Sequence, residues 1–266
     1  MDIERLRKID DELEQINQTY SIFDEDTRLK RSAATRVEFL TTAKYIRKYL
    51  KPGMRILDIG AGAGEYSLHF ATNGYDVDAL ELSDNNVQAF ARKIQPGMQV
   101  RLRQGNAADL SHYDDESFDV VLLMGPLYHF HGKHDRSRCI REAKRVCKKD
   151  GTLFFSFISH DMVFMTELAY DPKYFSIGDY DHETLRLNDF PFVFFTPPEC
   201  REMLTDEDIR ILHEVASDGA SELMGEKINR MGKTDYAQYL RYHFYRCEKP
   251  EMLGFSNHLL FVGQKR

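Results

Sequence analysis

The chain has 266 residues, 42% of them hydrophobic, with a net charge of −7 and a sequence pI near 5.8. That is enough for one large α/β domain or a domain with a cap, and the acidity argues against nucleic acid as the main partner, because phosphate binding rests on clustered Lys and Arg. No apolar run is long enough to span a bilayer, Met1–Asp10 lacks the apolar core of a signal peptide, and the four scattered cysteines (Cys139, Cys147, Cys200, Cys247) fit reduced thiols in a cytoplasmic protein.

Ile3, Leu6, Ile9, Leu13 and Ile16 recur at helical spacing and predict one opening amphipathic helix. After a break over residues 19–26, Val37, Phe39, Leu40, Ile46 and Leu50 predict a second helix, stopped by Lys51-Pro52-Gly53. From Met54 strands and helices alternate, the sign of a parallel sheet covered on both faces. Strands are expected at Arg55–Ile59, Asp76–Leu82, Gln99–Gln104, Phe118–Met124 and Leu153–Ile158. Ser83 is a candidate N-cap for a helix carrying Val87 and Phe90, and a helix near Asp135–Cys147 encloses Cys139 and Cys147. Residues 160–197 are aromatic and acidic without a clean period. A helix at Pro198–Leu204 and a strand at Ile209–Val215 restore the rhythm, a second excursion over 219–256 reads as helical, and His258–Val262 closes the set as a seventh strand. The last two strands lack a regular crossover between them, which predicts an antiparallel hairpin.

The most informative segment is Ile56-Leu57-Asp58-Ile59-Gly60-Ala61-Gly62-Ala63-Gly64. A buried strand runs into a turn of small residues, and a helix pattern (Glu65, Tyr66, Leu68, Phe70, Ala71) follows at once. That arrangement cradles a nucleotide-like cofactor. A dinucleotide fingerprint, G-x-G-x-x-G, requires glycine where Glu65 stands. Here the third glycine comes one place early, at Gly64, and Asp58 precedes Gly60 by two. Glu81, at the end of the second strand, can accept hydrogen bonds from both hydroxyls of a ribose.

A hydrophobic pair, Asp, any residue, then G-x-G-x-G resembles motif I of the class I S-adenosylmethionine-dependent methyltransferases. The resemblance continues in order through Gln104-Gly105-Asn106-Ala107-Ala108-Asp109, Ser117-Phe118-Asp119-Val120-Val121, Gly125-Pro126-Leu127-Tyr128-His129 and Arg141-Glu142-Ala143-Lys144-Arg145-Val146. It covers residues 36–160 well, and the G-P-L-Y-H and Ser256-Asn257-His258 segments are similar to a bacterial subgroup. It implies an α/β, Rossmann-like, seven-stranded, mostly parallel sheet with a terminal antiparallel hairpin and helices on both faces. A helical lid over 1–50 would precede a methyltransferase domain over 51–266, with insertions at about 160–197 and 219–256, after strands five and six.

By the same resemblance Asp58, Gly60, Ala61, Gly62, Glu81, Leu82, Asn106, Ala107 and Met124 would hold S-adenosylmethionine and its product S-adenosylhomocysteine. Asn106 stands where the family usually has Asp, and its side-chain oxygen can still accept a bond from the adenine amino group. The sulfonium is already a good leaving group, so the protein must align an acceptor and exclude water. The expected acceptor is a small molecule methylated on O or N, with no metal, nucleic acid or membrane partner, in a monomer or homodimer. A SAM-binding module without catalysis and a nucleic-acid methyltransferase are the alternatives.

Ligands in such sheets bind beyond the carboxyl ends of the strands. Tyr128, His129 and His131 follow strand four, Ser159, His160 and Asp161 follow strand five, and His258 opens the last strand. His129 and His258 are therefore candidate general bases, and Tyr128, His129, His160 and His258 candidate substrate residues. Tyr20 and Arg36 are expected to face the cofactor from the lid, and Phe190, Phe192, Phe194 and Phe195 are candidates to line an apolar pocket, although core packing suits most of those rings.

Overall fold

The computed structural model describes residues 3–265. Its strands are β1 (Arg55–Ile59), β2 (Asp76–Glu81), β3 (Val100–Gln104), β4 (Phe118–Leu123), β5 (Cys147–Ser159), β6 (Phe194–Phe195), β7 (Ile209–Ala216) and β8 (His258–Lys265). They form one sheet in the order β3-β2-β1-β4-β5-β8-β7, with β6 paired to the end of β5. β1 to β5 run parallel, and β8 lies antiparallel between β5 and β7.

The alternation of side chains along each strand divides the core into two layers. Leu57, Ile59, Val121, Leu123 and Phe155 face one layer, with Ile140 and Ala143 of a covering helix. Ile56, Val120, Leu122 and Phe154 face the other, with Phe39 and Ile46. Strands buried on both faces need near-continuous apolar runs, which is why I-L-D-I and V-V-L-L read as they do.

The helices are α1 (Ile3–Leu6), α2 (Glu12–Thr19), α3 (Glu25–Arg28), α4 (Arg36–Tyr49), α5 (Glu65–Thr72), α6 (Asp84–Ala91), α7 (Lys133–Val146), α8 (His160–Tyr170), α9 (Tyr174–Ile177), α10 (Pro197–Asp206), α11 (Gly225–Asn229), α12 (Lys233–Arg246) and α13 (Pro250–Leu253). The opening helix is thus broken in two. The Asp11 carboxylate accepts from the Glu14 N–H and starts a new helix, while the Gln15 amide donates to the carbonyls of Leu6 and Ile9 across the break. The apolar period survives the break because Leu6 and Ile16 are both buried. Cys147 leaves the preceding helix and begins β5. Ser83 occupies the N-cap of α6, but its hydroxyl has no partner; it is the Ser83 N–H that is used, donating to Glu81.

The two excursions follow β5 and β7, the fifth and sixth long strands of the chain. The first contains β6, a strand too short to leave a periodic signal. The second packs against the N-terminal helices: Tyr236 donates to the Ala33 carbonyl, and Asn229 accepts from the Ala34 N–H. Segment α2–α3 lies across the carboxyl ends of β2 and β4, tied down by Asn17 on Asp84, by Asn85 on the Tyr20 carbonyl and by Glu12 on the His131 N–H.

Candidate active site

The turn after β1 is built from glycines with left-handed φ, +72° at Gly60 and +84° at Gly64. A Cβ at Gly64 would stand 2.4 Å from Phe90, and one at Gly60 2.6 Å from Pro126, so the turn also packs too tightly for any side chain. Two buried acids fasten it. Asp58 accepts from the Ser67 hydroxyl at 2.7 Å, and burial pushes its carboxyl up to about 7 against that bond. Glu81 accepts from the Gly62 N–H at 2.7 Å and the Ser83 N–H at 2.8 Å. Burial raises its pKa in spite of those bonds. Glu81 Oε2 keeps a lone pair for a further donor, while Oε1 also receives the Asn86 amide at 3.4 Å.

Two clefts open on this turn. One is lined by Glu81, Leu82, Asn106 and Ala107, with Ile16 and His129. The other is lined by Asp58, Ala61, Gly62 and Met124, with Glu25, Arg28 and Tyr128. They meet at Tyr20, Gly60 and Gly125, which border both. Every residue that the motif resemblance assigned to the cofactor lines one or both clefts. The Asn106 oxygen already accepts from the Ala108 N–H at 2.9 Å and has one lone pair left. The first cleft thus presents the Glu81 carboxylate and the Asn106 amide, and the second the backbone groups of the glycine turn.

The candidate bases behave differently from expectation. His129 lines the first cleft, but it is buried, its Nε2 is bonded to the Tyr20 hydroxyl at 2.7 Å, and its Nδ1 has no partner. Burial, helped by His131, pushes its pKa down to about 3. A group that weakly basic takes no proton from an acceptor at neutral pH. His258 stands outside both clefts. Its Nδ1 lies 2.8 Å from Asp218 and 3.4 Å from Glu38. Burial would lower its pKa, but the Glu38 charge and the Asp218 hydrogen bond prevail and push it up to about 9. It is an imidazolium at neutral pH and cannot act as a base there.

His160 is likewise not in the clefts. Its Nδ1 is bonded to Asp161 and its Nε2 accepts from the Leu187 N–H at 3.1 Å, so it fastens the first excursion. Tyr128 is buried in the second cleft. Tyr20 faces the site as expected, whereas Arg36 packs over Phe39, and Arg28 is the lid cation that lines a cleft. Of the phenylalanines, Phe192 packs on His129 and Tyr128, Phe195 is core, and Phe190 stacks on Arg7.

The sequence reading missed a buried chain of alternating charge. Arg28 binds Glu25 through Nε and Glu38 through both terminal nitrogens, Glu38 faces His258, and His258 faces Asp218. Glu38, Asp218 and His258 bring ligand atoms within 4.8 Å of one another, but Arg28 and the imidazolium already supply the positive charge a metal would bring. A signal for Glu38 was present: it is three, four and seven residues from the buried Thr41, Thr42 and Tyr45, a charge on the inner stripe of α4.

Residues 57–155 match the family model described as a methyltransferase domain. Over 110 residues the chain is 33% identical to the ubiquinone biosynthesis O-methyltransferase of Pseudomonas syringae pv. tomato, an overlap of 41% of this chain and 46% of that protein. The chain thus spans less than half the length of the curated relatives it matches. Among solved structures, magnesium protoporphyrin IX methyltransferase from Synechocystis, with bound S-adenosylhomocysteine, superposes with a TM-score of 0.54 at 16% identity, covering 88% of this chain and 83% of that one. The [4+2]-cyclase SpnF superposes with a TM-score of 0.60 at 18% identity, covering 95% and 96%. The last two likenesses establish the fold alone, and the methyltransferase-domain match over residues 57–155 takes in the glycine turn, Glu81, Asn106 and Met124.

Proposed function

We propose that the chain transfers the methyl group of S-adenosylmethionine to a small-molecule acceptor, on O or N, by in-line displacement. The observation that carries this is the pair of clefts that share Tyr20, Gly60 and Gly125, with Glu81 lining one and Asp58 the other. The cofactor supplies an activated methyl on a sulfonium. Glu81, Asn106 and the turn amides hold it, α2–α3 acts as a lid that excludes water, and the residues at the junction orient the acceptor. His129 and His258 are each engaged by other partners, so catalysis is assigned to positioning. The net charge of −7 supports an acceptor other than nucleic acid, and a cytoplasmic monomer or homodimer without a membrane partner completes the reading.

Calorimetric titration with S-adenosylhomocysteine, with NADH as control, tests the cofactor. Micromolar binding is expected, weakened about 100-fold in Glu81→Ala, because two charge-assisted hydrogen bonds to a buried ribose are lost. Preference for NADH, or unchanged binding in the variant, overturns the reading. The placement of His129 and His258 away from a base's role, on a fold shared with a cyclase, favours one second reading: a SAM-binding module without methyl transfer. Release of S-adenosylhomocysteine in a screen of hydroxylated and amine metabolites separates the two.

A further inference from the structure

Arg246, the last residue of α12, lacks a partner that other arginines of this chain have. Arg101, Arg145 and Arg201 each lay the edge formed by Nε and Nη2 along one carboxylate. Arg101 meets Asp78 at 2.9 and 2.6 Å, Arg145 meets Glu142 at 2.8 and 2.9 Å, and Arg201 meets Glu214 at 2.8 and 2.6 Å. Two parallel N–H groups on two anionic oxygens make the guanidinium's strongest pairing. Arg246 turns the same edge onto a single thioether. Nε stands 3.1 Å from Met252 Sδ with Nη2 beside it, and Nη1 donates to the Tyr242 hydroxyl at 2.7 Å. Sulfur is a weak acceptor, and among the described residues no carboxylate pairs with Arg246.

Arg246, Met252 and Tyr242 line one pocket, which lies between the end of β7 and α12 and holds ≈ 620 Å³ of space. Met224 and Tyr239 add a second thioether and a second phenol ring, and Ala216 and Ala220 leave room between them. His243 also lines the pocket, but burial pushes its pKa down to about 4 and its Nε2 is bonded to Thr41 at 2.9 Å, so it is neutral at neutral pH. Arg246 is therefore the one charge on this wall. The pocket shares no lining residue with either cleft beside the glycine turn.

We infer that this pocket is a second ligand site, for a small aryl carboxylate: the ring lies among Tyr239, Tyr242 and the two methionines, and the carboxylate takes the Nε–Nη2 edge of Arg246 in place of the Met252 sulfur. An apolar hollow with one well-placed polar anchor is the ordinary form of a small-molecule site. Phenol rings and thioethers suit an aromatic body, and a methionine side chain is flexible enough to swing off the edge it now covers. A single guanidinium matches a single negative charge; a second would find no partner, and a cation would be repelled. The site stands apart from the methyl-transfer reading, because no residue of the cofactor clefts takes part in it.

The test titrates naphthoate, and its uncharged twin naphthamide, into the full chain by calorimetry, alone and with S-adenosylhomocysteine in excess. Naphthoate is expected to bind with a Kd of about 0.1 mM, and naphthamide about tenfold more weakly. Arg246→Gln should cost naphthoate about tenfold and leave naphthamide unchanged, and Arg246→Lys, which keeps the charge without the fork, should restore only part of the loss. Ala220→Leu fills the hollow and should remove both ligands. In protein labelled at the methionine methyls, ring currents from bound naphthoate should shift the NMR signals of Met224 and Met252. Equal affinity for acid and amide, loss of both in Arg246→Gln, unmoved Met224 and Met252 signals, or no binding at millimolar concentration each overturns the inference. So does displacement of naphthoate by S-adenosylhomocysteine, which would put the probe in the cofactor clefts. If S-adenosylhomocysteine does not bind while naphthoate does, the cofactor reading falls and this site stands.

Discussion

Over β1, β2 and β4 the buried ionisable groups are pushed toward neutrality: Asp58 up to about 7, Glu81 upward, His129 down to about 3, each with burial as the leading cause. Over β7 and β8 His258 and Asp218 are held as ions. His258 rises to about 9, and the hydrogen bond from His258 brings Asp218 below its ordinary range against the effect of burial. Both regions lie on one edge of one sheet, and both are largely buried. The difference is that the second region supplies each charge with an opposite one at hydrogen-bond distance, while the first supplies mainly neutral donors and rings. Burial alone does not set a protonation state; the partner does. A site that keeps its own charges low leaves its donors and acceptors for a charged ligand.

Removing a partner should break the contrast most strongly. Asp218→Asn takes the counter-charge from His258, and from the Ser256 hydroxyl that donates to the same carboxylate at 2.5 Å. The expected cost is about 3–5 kcal/mol in chemical denaturation, because one member of a buried ion pair is left incomplete. Titration measures the next effect. His258 has a folded pKa above its unfolded value of about 6.5, so its contribution is complete below pH 6.5 and is lost as pH rises through about 9. The stability difference between wild type and His258→Asn should therefore shrink by about 3 kcal/mol over that window. His129 has the opposite sign. Its folded pKa lies below the unfolded one, so stability falls as pH drops below 6.5, by about 1.4 kcal/mol per unit down to about 3. Between pH 6.5 and 5, His129→Asn should escape about 2 kcal/mol of acid destabilisation that wild type suffers. Parallel pH profiles for the two variants would erase the distinction between the regions.

The first half of the sheet was legible because its signals are local. The strand runs, the glycine spacing and Glu81 at a strand end all lie within short windows, and each cofactor candidate lines a cleft. The charged region was not legible in the same way. Glu38 meets Asp218 and His258 across about two hundred residues, and no periodicity links a helix acid to a loop acid and a strand histidine. His129 and His258 were placed at the right edge by topology, but their roles as bases depended on neighbours that the sequence does not order in space. The break at Asp11 was hidden because Leu6 and Ile16 stay buried on both sides of it, so the apolar period runs on across a change of direction.

β8 fills the gap between β5 and β7, and its insertion there has a consequence for synthesis. β5 ends at Ser159 and its partner begins at His258, so the flank of β5 that carries Phe155 and Phe157 waits for about a hundred residues to be made. At ordinary translation rates that is about 5–20 s with a long apolar strand unpaired. During that interval the nascent chain exposes the kind of edge on which other strands add. β6 does not cover that edge, because Ile158 pairs with Phe194 on one side of β5 and with His258 on the other, so the flank stays open until the last strand arrives.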